Sequence, residues 1–486
     1  MKKVIALLLA FLMLIILSAC GKNADSEATV STATASDTTA ASTSGGFRVG
    51  YGKANITPES GVPLGGYGRS DQRISTGALS YLWATCIAIT DADDNTILLY
   101  GLDLLNSAEA YGKFASDVSE ATGVPVENIV MSASHSHSAP DYSYTDIPGV
   151  NEALQVLKKG LVKAAVAAME DRKPATMSGG SIQTEGLNFV RHYIMNDGTY
   201  CGDNFGDASS GYAGHATQAD PTLQLIKFSR EGGKDVYMTN FQTHPHRTGG
   251  SAQYSVSADI VGEYRDVMEA ELDCHVVYFS GAGGNINPIS RISSENITVD
   301  FRDQGKALAR YARMVELKPL QTGKVQVSKR TFEAEVNHEF DTFADCCRDI
   351  YEKWSAGELS YEGAVKEAAA QGIKINSPYQ AHYIHVRAGM ERSASFPIWT
   401  YSFGEVGFVA APYEMFDTNG IYIREKSPFT MTMIATIANK TNGYFPSQLA
   451  FDYGCYEVDT ANFVRGTAER AADEFVNMLT EQYNNK

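Results

Sequence analysis

Hydrophobic and polar positions along the chain change period several times, and each change marks an element. Over 151–169, 258–272, 301–317 and 460–482 apolar residues recur every three to four positions, the spacing of an amphipathic helix. Between these segments lie short β-branched apolar runs at 128–133, Val236–Phe241, 275–279 and Val406–Ala410, which read as strands. Residues 83–89, the polar stretch 91–95 and residues 97–100 read as strand, turn, strand. Strands therefore interleave with helices. The pattern predicts an α/β fold with a mixed, largely parallel central sheet flanked by helices, in a single catalytic domain. Segment 339–372 is more helical and more charged than its surroundings, and suits either an inserted helical lobe or a plain pair of surface helices.

The first residues, MKKVIALLLAFLMLIILSAC, break this pattern. A basic Lys2-Lys3 start, an apolar run and then Leu17-Ser18-Ala19-Cys20 have the layout of a secretory signal with a lipobox-like end. The run is short for a bilayer span. Residues 1–19 thus read as a lipoprotein signal peptide and Cys20 as the lipid-bearing residue. Residues 20–46, rich in Ser, Thr and Ala and lacking aromatics, read as a tether. The domain then spans 47–486, and the expected location is the cell surface, anchored to a bacterial membrane.

Composition narrows the class further. A chain of 486 residues, 44% hydrophobic with a formal net charge of −17, fits a globular protein and argues against a nucleic-acid partner. The six cysteines after Cys20 include no Cys-x-x-Cys pair, and Cys346 and Cys347 are adjacent. This spacing argues against a cysteine metal cluster and for free thiols or one or two bridges.

Candidate chemistry sits at the ends of the strand-like runs. They lead into Ser134-His135-Ser136-His137, Thr243-His244-Pro245-His246, Gly281-Ala282-Gly283-Gly284-Asn285-Ile286-Asn287-Pro288 and Ala411-Pro412-Tyr413-Glu414. Ligands bind outside the carboxyl ends of strands in open α/β sheets, so these segments are expected to converge. In an extended His-x-His both imidazoles face one side and suit a metal, and two such motifs occur in a chain with ten histidines. Zinc fits nitrogen and oxygen donors. The glycine density of 281–284 permits close backbone approach to a ligand, which makes Gly283, Gly284 and Asn287 candidate substrate-binding residues. His-Glu-x-x-His, the Gly-x-Ser-x-Gly elbow and the Walker loop are absent from the sequence.

Plainer readings stand beside these. Glu414 also suits a helix start, Tyr444 and Tyr456 suit packing, and Arg191, next to His192 and Tyr193, suits a structural salt bridge. His246 suits either a place behind the ligands or the surface, and reads as a surface histidine by a narrow margin.

Together these segments resemble the catalytic domain of the neutral/alkaline, non-lysosomal ceramidases. The resemblance starts at Val49–Pro58 and Gly65-Gly66-Tyr67-Gly68-Arg69. It continues through Ser134–Pro140, Asn188–Arg191, Asn240–His244, Gly281–Pro288, Ala411–Glu414, and Asn442-Gly443-Tyr444 with Cys455-Tyr456-Glu457. It implies zinc ligands at His135, His244, Glu414 and Tyr444, a substrate-side histidine at His137, and contacts to the substrate carbonyl from Arg191 and Tyr456. It also implies zinc-dependent hydrolysis of an N-acyl amide, ceramide-like, by metal-activated water. Asn287 stands where the family carries a serine, so a covalent route through that position is not available. The alternatives are hydrolysis of another extracellular amide or ester, or a surface lipoprotein that binds zinc or a ligand without catalysis.

Overall fold

The computed structural model describes residues 46–59, 61–67 and 70–485, so the signal peptide, the tether up to residue 45, the Cys20 anchor and the Gly68-Arg69 pair of the opening motif lie outside the described residues. Two sheets make up its centre. The larger has nine strands, in the order His275–Ser280, Val236–Phe241, Thr222–Arg230, Lys173–Gln183, Arg48–Asn55, Trp83–Thr90, Thr96–Leu102 and Ile129–Ala133, with Lys318–Leu320 beside Lys173–Gln183. The smaller orders Val325–Glu335, Ser393–Phe403, Val406–Ala410 and Met431–Ala435.

The long apolar runs become strands because both faces are covered. Ile97 and Leu99 enter one core while Leu98 and Tyr100 enter another, the period-two alternation of a strand buried on both sides. Val277 and Phe279 join Phe408, Tyr401 and Met433 between the two sheets, whereas Val276 and Tyr278 face Tyr264 and Met268 of helix Asp259–Leu272. Helix Val150–Glu170 covers another part of the large sheet, and helix Thr467–Asn484 covers the far side of the small one. The layers are helix, sheet, sheet, helix. Each fully buried Leu or Ile here contributes about 1.5–3 kcal/mol. Close packing extends to the backbone: a Cβ on Gly50 would lie 1.9 Å from the Ala168 carbonyl oxygen of helix Val150–Glu170.

The sheet is mixed, as expected, but the expectation that it is largely parallel is corrected. Among the described strands only Thr96–Leu102 with Ile129–Ala133 and Val236–Phe241 with His275–Ser280 run parallel in the large sheet, and Val406–Ala410 with Met431–Ala435 in the small one. Tight connections such as 91–95 and 231–235 join neighbouring strands, and a short turn permits only antiparallel pairing. Each parallel pair is bridged by a helix, Ala108–Thr122, Asp259–Leu272 or Asp417–Lys426.

Two boundaries also shift. Segment 339–372 belongs to an inserted lobe, made of helices Ala344–Ser355, Tyr361–Ala370 and Pro378–Ala388 around Cys347, Ile350, Ala364 and Ile384, and so extends past residue 372. It is inserted between strands Val325–Glu335 and Ser393–Phe403, which pair along their whole length. The last helix starts at Thr467 rather than 460, because Tyr456–Thr460 forms a separate short helix and Gly466 has φ 87°. Cys86, Cys201, Cys274, Cys346, Cys347 and Cys455 are free thiols, and among the described residues no helix is long and apolar enough to cross a membrane.

Candidate metal centre

The three parallel units deliver the candidate residues to one place. His135 and His137 follow strand Ile129–Ala133, His244 follows Val236–Phe241, the glycine loop follows His275–Ser280, and Glu414 follows Val406–Ala410. Tyr444 arrives beyond Met431–Ala435, where Glu414-Met415 pairs in parallel with Tyr444-Phe445. Strand carboxyl ends converge as the pattern predicts. The His-x-His segment, however, is not extended. His135 adopts φ 68°, a left-handed conformation uncommon outside glycine that the surrounding contacts hold in place.

Geometry then defines a centre. The Nε2 atoms of His135 and His244 are 3.0 Å apart, and His137 Nε2 is 3.3 Å from His135 Nε2. Glu414 Oε2 is 3.5 Å from both His135 Nε2 and His244 Nε2. Backbone carbonyls fix the far side of two rings: His135 Nδ1 donates to Leu105 O at 2.8 Å and His244 Nδ1 to Gly283 O at 2.9 Å. Those contacts leave both Nε2 lone pairs facing inward, the tautomer and support that histidine ligands need.

The electrostatics of the cluster suit a cation. Burial pushes the His135 pKa down to about 4 and holds His137 and His244 well below the ordinary imidazole value, so all three are neutral near pH 7. Burial raises Glu414 to about 8, although Arg191 and Tyr444 oppose the shift. Glu414 Oε2 is buried with no hydrogen-bond partner among the described residues, and so is His137 Nδ1. An unpaired buried carboxylate oxygen facing two imidazole lone pairs is costly unless a cation joins them. The donor set therefore fits a divalent metal. His137 belongs to the same group, since its ligand atom and those of His135 and His244 all lie within 4.8 Å of one another.

Arg191 and the tyrosines border this centre. Arg191 Nη2 donates to Tyr444 Oη at 3.1 Å and to Gly284 O at 3.0 Å. The salt bridge read from its neighbours also exists, from Arg191 Nε to Glu457 Oε1. Tyr456 is half-buried, with its ring 6.0 Å from that of Tyr444 and edge-on to Tyr379 of the lobe at 5.5 Å. Gly283 and Gly284 turn their carbonyls to His244 and Arg191, a supporting place. Asn287 is buried, and its amide bridges His246 Nε2 at 3.0 Å and Asp203 Oδ2 at 2.9 Å.

His246 is not a surface residue. It is partly buried, 5.6 Å from the His137 ring, and Tyr67 Oη donates to its carbonyl at 2.7 Å. The opening glycine motif also reaches the site: Gly66, at φ 96°, passes so close that a Cβ there would sit 2.3 Å from His137 Cγ. Sequence reasoning missed Glu457, His192 and Asp203 as parts of the site. Glu457 stood in a quoted motif and His192 beside Arg191, but their pairing spans 265 residues and has no local signal.

The fold and the centre define a two-sheet α/β protein with a buried histidine and carboxylate cluster suited to a metal. Known structures share that fold. A ceramidase complexed with C2 matches at 16% identity with a TM-score of 0.67, over 90% of this chain and 76% of that one. The neutral ceramidase from Pseudomonas aeruginosa matches at 17% identity with a TM-score of 0.66, over 90% and 75%. This chain has the neutral ceramidase fold. No protein-family model matches the sequence, and no curated protein matches it.

Proposed function

We propose that this protein is a zinc-dependent amidohydrolase of ceramidase type, cleaving the N-acyl amide of a ceramide-like lipid. The observation that carries this reading is the convergence of His135 and His244 Nε2 on the unpaired Glu414 Oε2. His135, His244, Glu414 and Tyr444 would hold the ion. Zinc bound there would supply Lewis acidity toward the amide carbonyl and toward a water. The chain's own residues complete the chemistry. Arg191 and Tyr456 border the place where the carbonyl oxygen gains charge, and a well-aimed donor of this kind contributes about 3–4 kcal/mol. His137, kept neutral by burial, would take up a proton from the attacking water at a ring nitrogen and pass it to the amide nitrogen as the carbon–nitrogen bond breaks and the amine leaves. Burial of the centre excludes bulk water and strengthens each of these interactions.

A second reading keeps the metal and changes the substrate to another amide or ester. Tyr379 of the lobe packs on Tyr456, and Trp354 packs on Tyr379 at 5.1 Å, so amphipathic rings adjoin the centre and suit a polar acylated group as well as a lipid. Fatty acid release from a panel of N-acylsphingosines, other N-acyl amides, esters and acylated sugars separates the two. No turnover on any member by the zinc-loaded protein would sink both.

Export and membrane attachment through Cys20 complete the proposal, supported by the leader's sequence. Labelling with an alkyne fatty acid in a bacterial host tests it: the label enters the wild type and is lost in Cys20→Ser. Equal labelling of both would remove the anchor.

A further inference from the structure

Arg191 and His192 are consecutive, yet both hold the same carboxylate. Arg191 Nε contacts Glu457 Oε1 at 2.5 Å, and His192 Nε2 lies 2.8 Å from Glu457 Oε2. Tyr453 Oη in turn lies 2.7 Å from His192 Nδ1. Glu457 is fully buried, and Arg191 and His192 nearly so. We propose that Glu457 is a positioning residue: held by His192, it fixes the Arg191 guanidinium at the edge of the metal centre so that Arg191 Nη1 points its hydrogens at the acyl carbonyl of the substrate. This deepens the hydrolase reading and rests on it.

Three observations support the assignment. Arg191 Nε is taken by Glu457 and Nη2 by Gly284 and Tyr444, whereas Nη1 has no hydrogen-bond partner among the described residues. The guanidinium is thus clamped on two nitrogens with the third left over. Burial works against the Arg191 charge, but Glu457 and then Tyr444 outweigh it, and the group stays charged at every accessible pH. A metal is not the purpose of this second cluster. Cys455, His192 and Glu457 bring ligand atoms together, but Arg191 already neutralises the carboxylate and would repel a cation.

The test uses the zinc-loaded protein, an N-acyl amide substrate, and octanoate as a carboxylate probe of the same donor. Arg191→Ala is expected to lower kcat about 100- to 1000-fold. Glu457→Gln should lower kcat about 10- to 100-fold with KM within about threefold and zinc content unchanged. In the Arg191→Ala background the Glu457→Gln change should add almost nothing, and added guanidine should rescue Arg191→Ala but not the double variant. Octanoate affinity by calorimetry should fall about tenfold in either single variant. If Glu457→Gln does not fold, Tyr453→Phe takes its place in the same cycle, with an expected loss of about threefold that vanishes without Arg191. Additive losses, or octanoate affinity unchanged in Glu457→Gln, overturn the clamp and leave the hydrolase reading standing. A wild type that is inert on every acyl substrate but shows the octanoate pattern overturns the hydrolase reading and sustains the clamp.

Discussion

His135 and His244 are 109 residues apart in sequence, and their Nε2 atoms are 3.0 Å apart in space. Each ring is fixed from behind by a backbone carbonyl, so the pair is built before any ion arrives. Preorganised donors of this kind bind a metal tightly because little remains to be ordered.

Metal content is the first consequence. The purified protein is expected to hold about one zinc per chain, and His135→Ala or His244→Ala to weaken binding at least about 100-fold, measured by competition with a chromogenic chelator. Wild-type affinity in either variant would remove the assigned centre.

Stability of the chelated protein should depend on pH from both sides. Glu414 rises from 4.5 to about 8 on folding, so its contribution is full below pH 4.5 and is lost as pH climbs to 8. His135 falls from 6.5 to about 4, so its contribution is present above pH 6.5 and is lost as pH drops toward 4. Melts of the chelated protein should therefore show a dome. Glu414→Gln should flatten the alkaline limb, and a curve unchanged by that substitution would contradict the burial assigned to Glu414.

Asn287→Ala should leave hydrolysis within about tenfold of wild type while costing about 1–3 kcal/mol of stability, since Asn287 bridges His246 and Asp203 and supplies no nucleophile. Parallel activity assays and denaturant melts check this. Abolished turnover with zinc retained would place Asn287 in the chemistry.

Gly50→Val tests the packing of the helical layer on the large sheet. Its side chain would collide with the Ala168 and Arg172 backbone, and a loss of about 3 kcal/mol or more is expected in urea denaturation. A midpoint within error of wild type would show that helix Val150–Glu170 does not pack there.

Much of this was legible in the chain. Runs such as Val236–Phe241 and Val406–Ala410 have the bounds that their apolar patterns predict, because strands buried on both faces are mostly apolar. His135, His244 and Glu414 were visible as polar residues closing such runs. Harder to see was sheet direction, which depends on whether each connection is a turn or a helix. His246 was misplaced for a related reason: it packs against Tyr67, His137 and Asn287, none of them its sequence neighbours.

By itself the sequence determined the donor types, their place at strand ends and the alternation that buries both faces, because these depend on local periodicity and side-chain chemistry. Only the tertiary structure decided that Glu414 Oε2 lacks a hydrogen-bond partner among the described residues, that His137 lies against the two proposed histidine ligands, and that Glu457 receives Arg191 and His192 together. Those are contacts across hundreds of residues, set by how the two sheets stack and which loop ends meet, and no spacing along the chain encodes them.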